Sequence, residues 1–321
     1  MTVPLCTAIG EILIDFTPIV EDRRTVGFRM HPGGSPFNVA VGLARLGARV
    51  EFAAKVSTDF FGRLLLGHLK QEHIGTRFLS RSDAPTTLAF VALDRGDPAF
   101  SFYQEGTADT LLDPEDLSAE IGRCHVLHFG SISLLRDPTA STIAGLVDRL
   151  SGGPLLSFDP NIRPAQVRDP PAFRGLIDRL LRAADLVKVS AADLHWLAGG
   201  HSGEDAAREI LDRGPALVVV TLGVHGCYAA SRRISRHLPA PRVQVVDTVG
   251  AGDAFTAGLL SELAGRHVIS RETLEAAEPA ALEDALRFAL AAAALNCTRS
   301  GADPPRREEV ERFLAAGRLS R

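Results

Sequence analysis

The chain has 321 residues, 45% hydrophobic and 23% charged, with a formal net charge of −4, enough for one large α/β domain or two smaller ones around a sizeable core. No basic tract is present, which excludes nucleic acid as an expected partner, and no apolar run is long enough to span a bilayer. Met1 to Gly10 lacks the basic start and cleavage site of a signal peptide, and Cys6, Cys124, Cys227 and Cys297 are widely spaced, so the expectation is a cytoplasmic protein with reduced, mostly buried thiols.

Leu5 to Ile14 is an apolar run that ends at Asp15. It predicts one buried strand delivering an acid at its C-terminal end, where open α/β sheets bind ligands. Asp15 reads equally well as a turn former ahead of Thr17-Pro18. Ile19 to Met30 has the mixed pattern of a short hairpin. In His31-Pro-Gly-Gly-Ser-Pro-Phe-Asn38 the paired glycines let backbone approach a ligand, and Ser35-Pro36 reads as N-cap and first residue of a helix. That helix carries Phe37, Ala40, Val41 and Ala44 on one face and stops at Gly47. Asn38 falls in its first turn, open to a ligand or to a local backbone hydrogen bond. A strand over Val50–Val56 and a Leu-rich helix over Phe61–His73 complete a β-α-β-α run, the pattern of a parallel sheet.

Thr87–Leu93 and Ala99–Tyr103 then flank Asp94-Arg-Gly-Asp-Pro98, a hairpin signal with a loop of about five residues. A hairpin inserted into an α/β chain predicts a small separate sheet acting as a lid. Strands follow at Val126–Gly130, Leu155–Phe158, Leu186–Val189 and Leu217–Thr221, with helices between them and a glycine-punctuated loop over Thr221–Gly226. His125 and His128 lie at i and i+3 of a strand and face opposite sides, so they read as structural rather than as metal ligands. Trp196 and the phenylalanines read as core.

A β-prone run, Val243 to Val246, leads into Gly250-Ala251-Gly252, and an apolar, small-residue helix runs on through Leu259, Leu260 and Leu263 to Gly265. A helix that opens on Gly-Ala-Gly leaves its first N–H groups bare for phosphate oxygens. Asp253 in the first turn stands where an acid can take a proton from a nucleophile beside those donors, as phosphoryl transfer requires. The same acid also suits the helix dipole alone. An Ala-rich helix over Leu282–Asn296 and the loop Thr298-Arg-Ser-Gly-Ala-Asp-Pro304 follow. A dinucleotide fingerprint fails here, because residue 255 is Phe and no β-α-β unit follows. A P-loop fails for want of Gly-x-x-x-x-Gly-Lys in a chain with three lysines.

Pro32-Gly-Gly-Ser-Pro-Phe-Asn-Val-Ala-Val-Gly-Leu-Ala-Arg-Leu-Gly47 and Asp247-Thr-Val-Gly-Ala-Gly-Asp-Ala-Phe-Thr-Ala-Gly258 resemble the N- and C-terminal signatures of the ribokinase-like (PfkB-type) carbohydrate kinase family. The resemblance covers nearly the whole chain. Pro85-Thr-Thr-Leu-Ala-Phe90, Phe102-Tyr103, Ala108-Asp109, Gly130-Ser-Ile-Ser-Leu134 and Phe158-Asp-Pro-Asn-Ile-Arg163 resemble the fructokinases within it, and 2-keto-3-deoxygluconate kinases share several of these stretches.

The resemblance implies a ribokinase-like three-layer α/β sandwich, a single domain over 1–321, with a mostly parallel central sheet and a lid sheet inserted at about 15–32 and 84–108. It implies ATP-dependent transfer of the γ-phosphate to a primary hydroxyl of a monosaccharide. Fructose is the leading acceptor, with 2-keto-3-deoxygluconate, ribose or a nucleoside as alternatives, and a sugar-binding regulator is the non-catalytic alternative. Asp253 matches the general base, Gly250, Ala251 and Gly252 the anion hole, and Arg163 a catalytic cation. Asp15, Gly33, Gly34, Asn38 and Tyr103 match sugar contacts. Asn161, Lys188, Ser190, Thr221, Gly223 and Gly226, with Gly252, match the nucleotide site.

Mg²⁺ is implied through phosphates and water, with Asp193 its nearest acid. K⁺ is implied on main-chain carbonyls near Asp247, Val249 and Gly301. The lid implies a homodimer. Two departures stand out. Ser190-Ala-Ala-Asp193 replaces the Asn-x-x-Glu of relatives, and Gln104 follows Tyr103 where fructokinases continue with Arg. The lost cation argues against an acidic sugar unless Arg163 or another Arg compensates.

Overall fold

The computed structural model describes residues 3–319 apart from 23, 95–96 and 199–202. The chain opens with β1 (Leu5–Ile9), buried throughout. Cys6 and Ala8 enter one core, Leu5 and Ile9 the other, as a strand covered on both faces requires. The single strand predicted to reach Ile14 ends at Ile9. After Gly10-Glu11-Ile12 the chain enters β2 (Leu13–Glu21) in a different sheet. A continuous apolar run carries no mark of which sheet each half will join. β2 turns back as β3 (Arg24–Gly33), a longer form of the predicted hairpin.

The predicted alternation follows in α1 (Ser35–Arg45), β4 (Arg49–Ser57) and α2 (Phe60–Gln71). β5 (Gly75–Ser82) extends it without having been anticipated, since this sheet-edge strand is too polar to show an apolar run. β6 (Leu88–Asp94) and β7 (Asp97–Tyr103) form the predicted hairpin, but pairing continues to Asp94–Asp97, so two residues rather than about five connect them. Next come β8 (Val126–Gly130), α3 (Thr139–Leu150), β9 (Leu155–Asp159), α4 (Pro170–Ala183) and β10 (Leu186–Ser190). α5 (Ala191–Ala198), α6 (Gly203–Arg213) and β11 (Leu217–Thr221) follow.

β12 (Cys227–Ser231) and β13 (Ser235–Leu238), also unanticipated, add an antiparallel edge. α7 (Ala251–Gly265), α8 (Arg271–Ala276), α9 (Pro279–Asn296) and α10 (Arg307–Leu319) end the chain. The strand predicted over Val243–Val246 is absent. Val245 and Val246 are exposed, and the Val246 N–H donates to the Cys297 carbonyl at 2.8 Å. β-Branched residues make no strand without a free edge to pair with.

The large sheet runs β13-β12-β11-β10-β9-β8-β1-β4-β5 and is parallel from β11 to β5. Side chains of α1, α2 and α7–α10 share one core on one face, and those of α3–α6 share another on the opposite face. The result is a three-layer α/β structure. The small sheet runs β3-β2-β6-β7. Leu13 and Ala89 from it pack with Ile132, Phe102 and Leu135, seating it against the body. β1 lies between β4 and β8, the point where strand order reverses, and a crevice opens there at the carboxyl ends of the strands. All four cysteines are free and three are buried. The His125 ring accepts the Leu5 N–H, and His128 is buried against Ser157. Among the described residues no helix is long and apolar enough to cross a membrane.

Candidate active site

Three helices open on ordinary signals: α2, α4 and α8 are capped by Asp59, Asp169 and Ser270, each accepting a first-turn N–H. α1 and α7 differ. Their N-caps are Gly34 (φ 112°) and Gly250 (φ 74°), backbone settings that favour glycine, and neither has a side-chain cap from its own start. Ser35, expected as N-cap of α1, is instead its first residue, because its hydroxyl is engaged elsewhere.

That engagement builds the site. The Ser35 Oγ donates to Asp253 Oδ1 at 2.7 Å, and the Asn38 Nδ2 donates to Asp253 Oδ2 at 2.8 Å. The first turn of α1 therefore orients the acid in the first turn of α7, which is 8% exposed. Burial raises the Asp253 pKa, opposed by these two hydrogen bonds and by the charges of Lys188 and Arg163. Beside it, Gly250, Ala251 and Gly252 line the cleft with the uncapped turn of α7.

The cleft has a volume of about 880 Å³. One end is acidic. Glu11, 2% exposed, accepts the Ser35 N–H on Oε1 and the Ser133 N–H and hydroxyl on Oε2. Asp15 stands on β2, not at the end of β1, with the Gly33 backbone packed so close that a methyl group on Gly33 would fall 2.0 Å from its Oδ2. Burial, then the charges of Asp253 and Glu11, push the Asp15 pKa up to about 7, against the pull of Arg163.

Past Asp253 the wall carries Asn161 and Arg163, joined by Arg163 Nη1 donating to Asn161 Oδ1 at 2.7 Å. Lys188, Ser190, Thr221, Gly223 and Gly226 continue the wall at the ends of β10 and β11. The lining also includes Val243, Val245, Leu290, Ala293, Ala294 and Cys297, apolar side chains of the kind that hold a flat ring. The first turn of α7 has no side-chain cap, although the Ala251 N–H meets the Thr248 carbonyl at 3.2 Å, and with carboxylates and apolar side chains in the same cleft it suits a hydroxylated acceptor, a phosphate chain and a base.

Several expectations are corrected. Tyr103 is 65% exposed and meets Phe90 edge to face on the outer side of the small sheet. Phe102 lines the cleft in its place, since neighbours on a strand face opposite ways. Asp193 does not face the cleft. Its carboxylate accepts the N–H groups of Ile162 and Ser190 and the Ser190 hydroxyl, bracing the 161–163 loop rather than reaching toward solvent and Mg²⁺. Of the two glycines expected to touch the sugar, Gly34 lines the cleft and Gly33 packs against Asp15 instead.

Asp247, Val249 and Gly301 do come together: Asp247 accepts the Val249 N–H at 3.0 Å and the Gly301 N–H at 2.7 Å. The Val249 carbonyl, expected to be open, accepts from Asn296 Nδ2 at 2.8 Å. The buried Asn296 Oδ1 beside it has no partner, which leaves one oxygen at this loop free to accept. Among the described residues no cluster of acids, histidines or cysteines could hold a metal, so the residues fit Mg²⁺ only as an ion carried in on phosphates and water.

Sequence reasoning missed Ser35, Glu11, Asp159, Phe102 and Asn296. An isolated acid inside an apolar run was a usable signal for Glu11, because a buried charge needs partners. The others leave no local mark.

A family model described as pfkB family carbohydrate kinase matches residues 3–309. The chain is 37% identical over 279 residues to a fructokinase of Rhizobium leguminosarum bv. trifolii, covering 86% of this chain and 84% of that one. The crystal structure of a fructokinase with bound ATP from Xylella fastidiosa superposes with a TM-score of 0.90 at 31% identity, covering 98% and 99% of the two chains. A fructokinase from Vibrio cholerae O395, in a form binding fructose, ADP and calcium ion, superposes with a TM-score of 0.85 at 30% identity, covering 97% and 99%.

Proposed function

The chain belongs to the pfkB family of carbohydrate kinases, and we propose that it transfers the γ-phosphate of ATP to a primary hydroxyl of fructose. The observation that carries this reading is the pair of hydrogen bonds from Ser35 and Asn38 that fixes Asp253 beside the uncapped turn of α7. The acceptor lies at the acidic end, its hydroxyls donating to Asp15 and held near Gly34 and Asn38. Asp253 takes the proton of the attacking hydroxyl. The hydroxyl oxygen bonds to the γ-phosphorus, and the bond to the bridging oxygen breaks with its electron pair going to ADP. The N–H groups of Gly250–Gly252 receive the transferring phosphoryl, a preorganised stabilisation of developing charge.

Asn161 and Arg163 stand between acceptor and phosphates. Lys188, Ser190, Thr221, Gly223 and Gly226 hold the nucleotide, with its base against the apolar side chains of the cleft. Mg²⁺ carried on the phosphates would offset their charge, and K⁺ at the Asp247–Val249–Gly301 loop would stiffen the turn leading into the anion hole. Three acids, Glu11, Asp15 and Asp253, at the acceptor end, with the Arg163 charge acting on Asp15, favour a neutral sugar over 2-keto-3-deoxygluconate. The outer face of the small sheet, with Phe28, Met30 and Tyr103 exposed, supports a homodimer through the lid, and a monomer by light scattering would end that part.

Sugar-dependent ADP release with MgATP tests the function across fructose, ribose, tagatose, 2-keto-3-deoxygluconate and a nucleoside, with and without K⁺. Preference for fructose is expected. Turnover of another acceptor would keep the chemistry and discard the sugar. Sugar binding without turnover of any of them would favour a regulator.

A further inference from the structure

One residue placed above at the nucleotide is also a buried cation beside the base and the anion hole. Lys188, near the end of β10, is 4% exposed, and its Nζ donates to Asp159 Oδ2 at 2.8 Å. Asp159, 1% exposed at the end of β9, also accepts the Asn161 N–H on Oδ1 at 3.2 Å. A methyl group on Gly252 would fall 2.8 Å from Lys188 Nζ. The ammonium therefore lies directly against the anion-hole backbone, at the wall of the cleft.

Two further facts point to a ligand rather than to simple stabilisation. A lysine ammonium carries three donors, and the bond to Asp159 engages one. A buried ion pair also contributes little net stability, since desolvation offsets its attraction. The chain contains 35 Lys and Arg, of which Lys55, Lys70 and Lys188 are the lysines. At Lys188 a compact point charge fits where glycine has cleared space, and a planar guanidinium fork would not. Burial alone would lower the Lys188 pKa, but the charges of Asp159, Asp193 and Asp253 hold it above its ordinary value, so the group enters the reaction charged.

We infer that Lys188 is a catalytic cation at the transferring phosphoryl, and that Asp159 is its positioning residue, holding the ammonium beside Gly252. Lys188 moves no proton. Its charge offsets that of the phosphoryl as the bond to ADP loosens. The inference rests on the kinase reading and is tested so that the two can fail separately.

The informative variant is Lys188→Met/Asp159→Asn, which removes both charges and avoids stranding one of them. A merely structural pair predicts a folded double variant with kcat within about threefold of the parent, because a neutral pair replaces a neutral pair. A cation at the phosphoryl predicts a folded variant that keeps its sugar KM and loses kcat by about 10²–10³-fold. Should the double variant not fold, Asp159→Asn alone decides. An unchanged kcat overturns the positioning role, and a loss of about tenfold or more at constant sugar KM supports it.

Thermal shift reads the same inference without any sugar. MgATP should stabilise the parent more than AMP does, and should lose that advantage in the double variant. An equal MgATP advantage in both proteins would overturn the role of Lys188, even if no acceptor in the panel were ever turned over.

Discussion

Two helices meet at the site with the same start and opposite endings to the story. In α1 and in α7 a glycine at positive φ is the N-cap, and its carbonyl accepts the first helical hydrogen bond at 2.8 Å, from the Asn38 N–H in one case and the Ala254 N–H in the other. Helix α1 then has its N-terminal charge answered by the protein itself, since Glu11 is buried against the Ser35 N–H. Helix α7 has no such carboxylate, and the first acid it meets, Asp253, is turned sideways into the grasp of α1. One terminus is filled by the protein's own carboxylate, and the other carries no side-chain cap, the arrangement that suits an incoming anion. Composition alone would not separate them, because both read as glycine-rich helix starts.

The comparison can be broken at α7 first. Asp253→Asn keeps the shape that Ser35 and Asn38 hold, so the variant should fold and bind sugar while kcat falls by about 10²–10⁴-fold. Parallel loss of sugar affinity and turnover, measured by calorimetry and steady-state kinetics, would show that Asp253 organises binding rather than proton transfer.

On the α1 side the expected loss is mainly of stability. Glu11→Ala strands the Ser35 N–H and the Ser133 N–H and hydroxyl, which should cost about 1–3 kcal/mol for each group left dry. A denaturant midpoint that does not move would mean that water reaches this terminus, and that the filled-versus-open contrast is false.

The acids at the acceptor end give a pH effect of intermediate size. Asp15 has its pKa raised to about 7, so the folded state binds a proton there that the unfolded chain, near 4, has already released. Its contribution to stability is present below about pH 4 and is lost as pH rises through about 7. The ligand-free protein should therefore melt higher at pH 5.5 than at pH 8, and Asp15→Asn should flatten that difference. Sugar affinity should run the other way, weakening below pH 7 as the acceptor carboxylate is protonated. A ligand-free melting temperature that rises from pH 5.5 to 8 in a manner sensitive to Asp15→Asn would contradict the assignment.

The smallest effect is the control. Asp169→Ala removes an ordinary cap from α4, no residue of which lines the cleft, and should lower stability by about 1 kcal/mol without changing kcat. A change in turnover larger than the change in folded fraction would show that capping anywhere in the molecule feeds into the site.

Much of this was legible in the chain. The strands over Val126–Gly130 and Leu217–Thr221 announced themselves as short apolar runs, and Gly250-Ala-Gly-Asp253 marked a helix start without a side-chain cap through four adjacent residues. The failures have a common form. β5, β12 and β13 lie toward the sheet edges, where burial on both faces relaxes and the apolar run fades. The 243–246 run had the composition of a strand but pairs with none, its Val246 N–H going to the Cys297 carbonyl. Tyr103 and Phe102 were one residue apart, and only register decides which of two neighbours faces inward.

The sequence by itself determined the alternating α/β plan, the family and the acid with its bare helix, because those depend on residues adjacent along the chain or on periodicity. Only the tertiary structure decided that Ser35 and Asn38 hold Asp253, residues 218 and 215 positions away. It also decided that Glu11 closes α1 by way of Ser133, 122 positions off, that Asp159 sets Lys188 against Gly252, and that Asp193 faces a loop instead of the cleft. Hydrogen bonds and charge pairs across such separations are made by packing whole layers together, and no local pattern of residues encodes which side chains that packing will bring face to face.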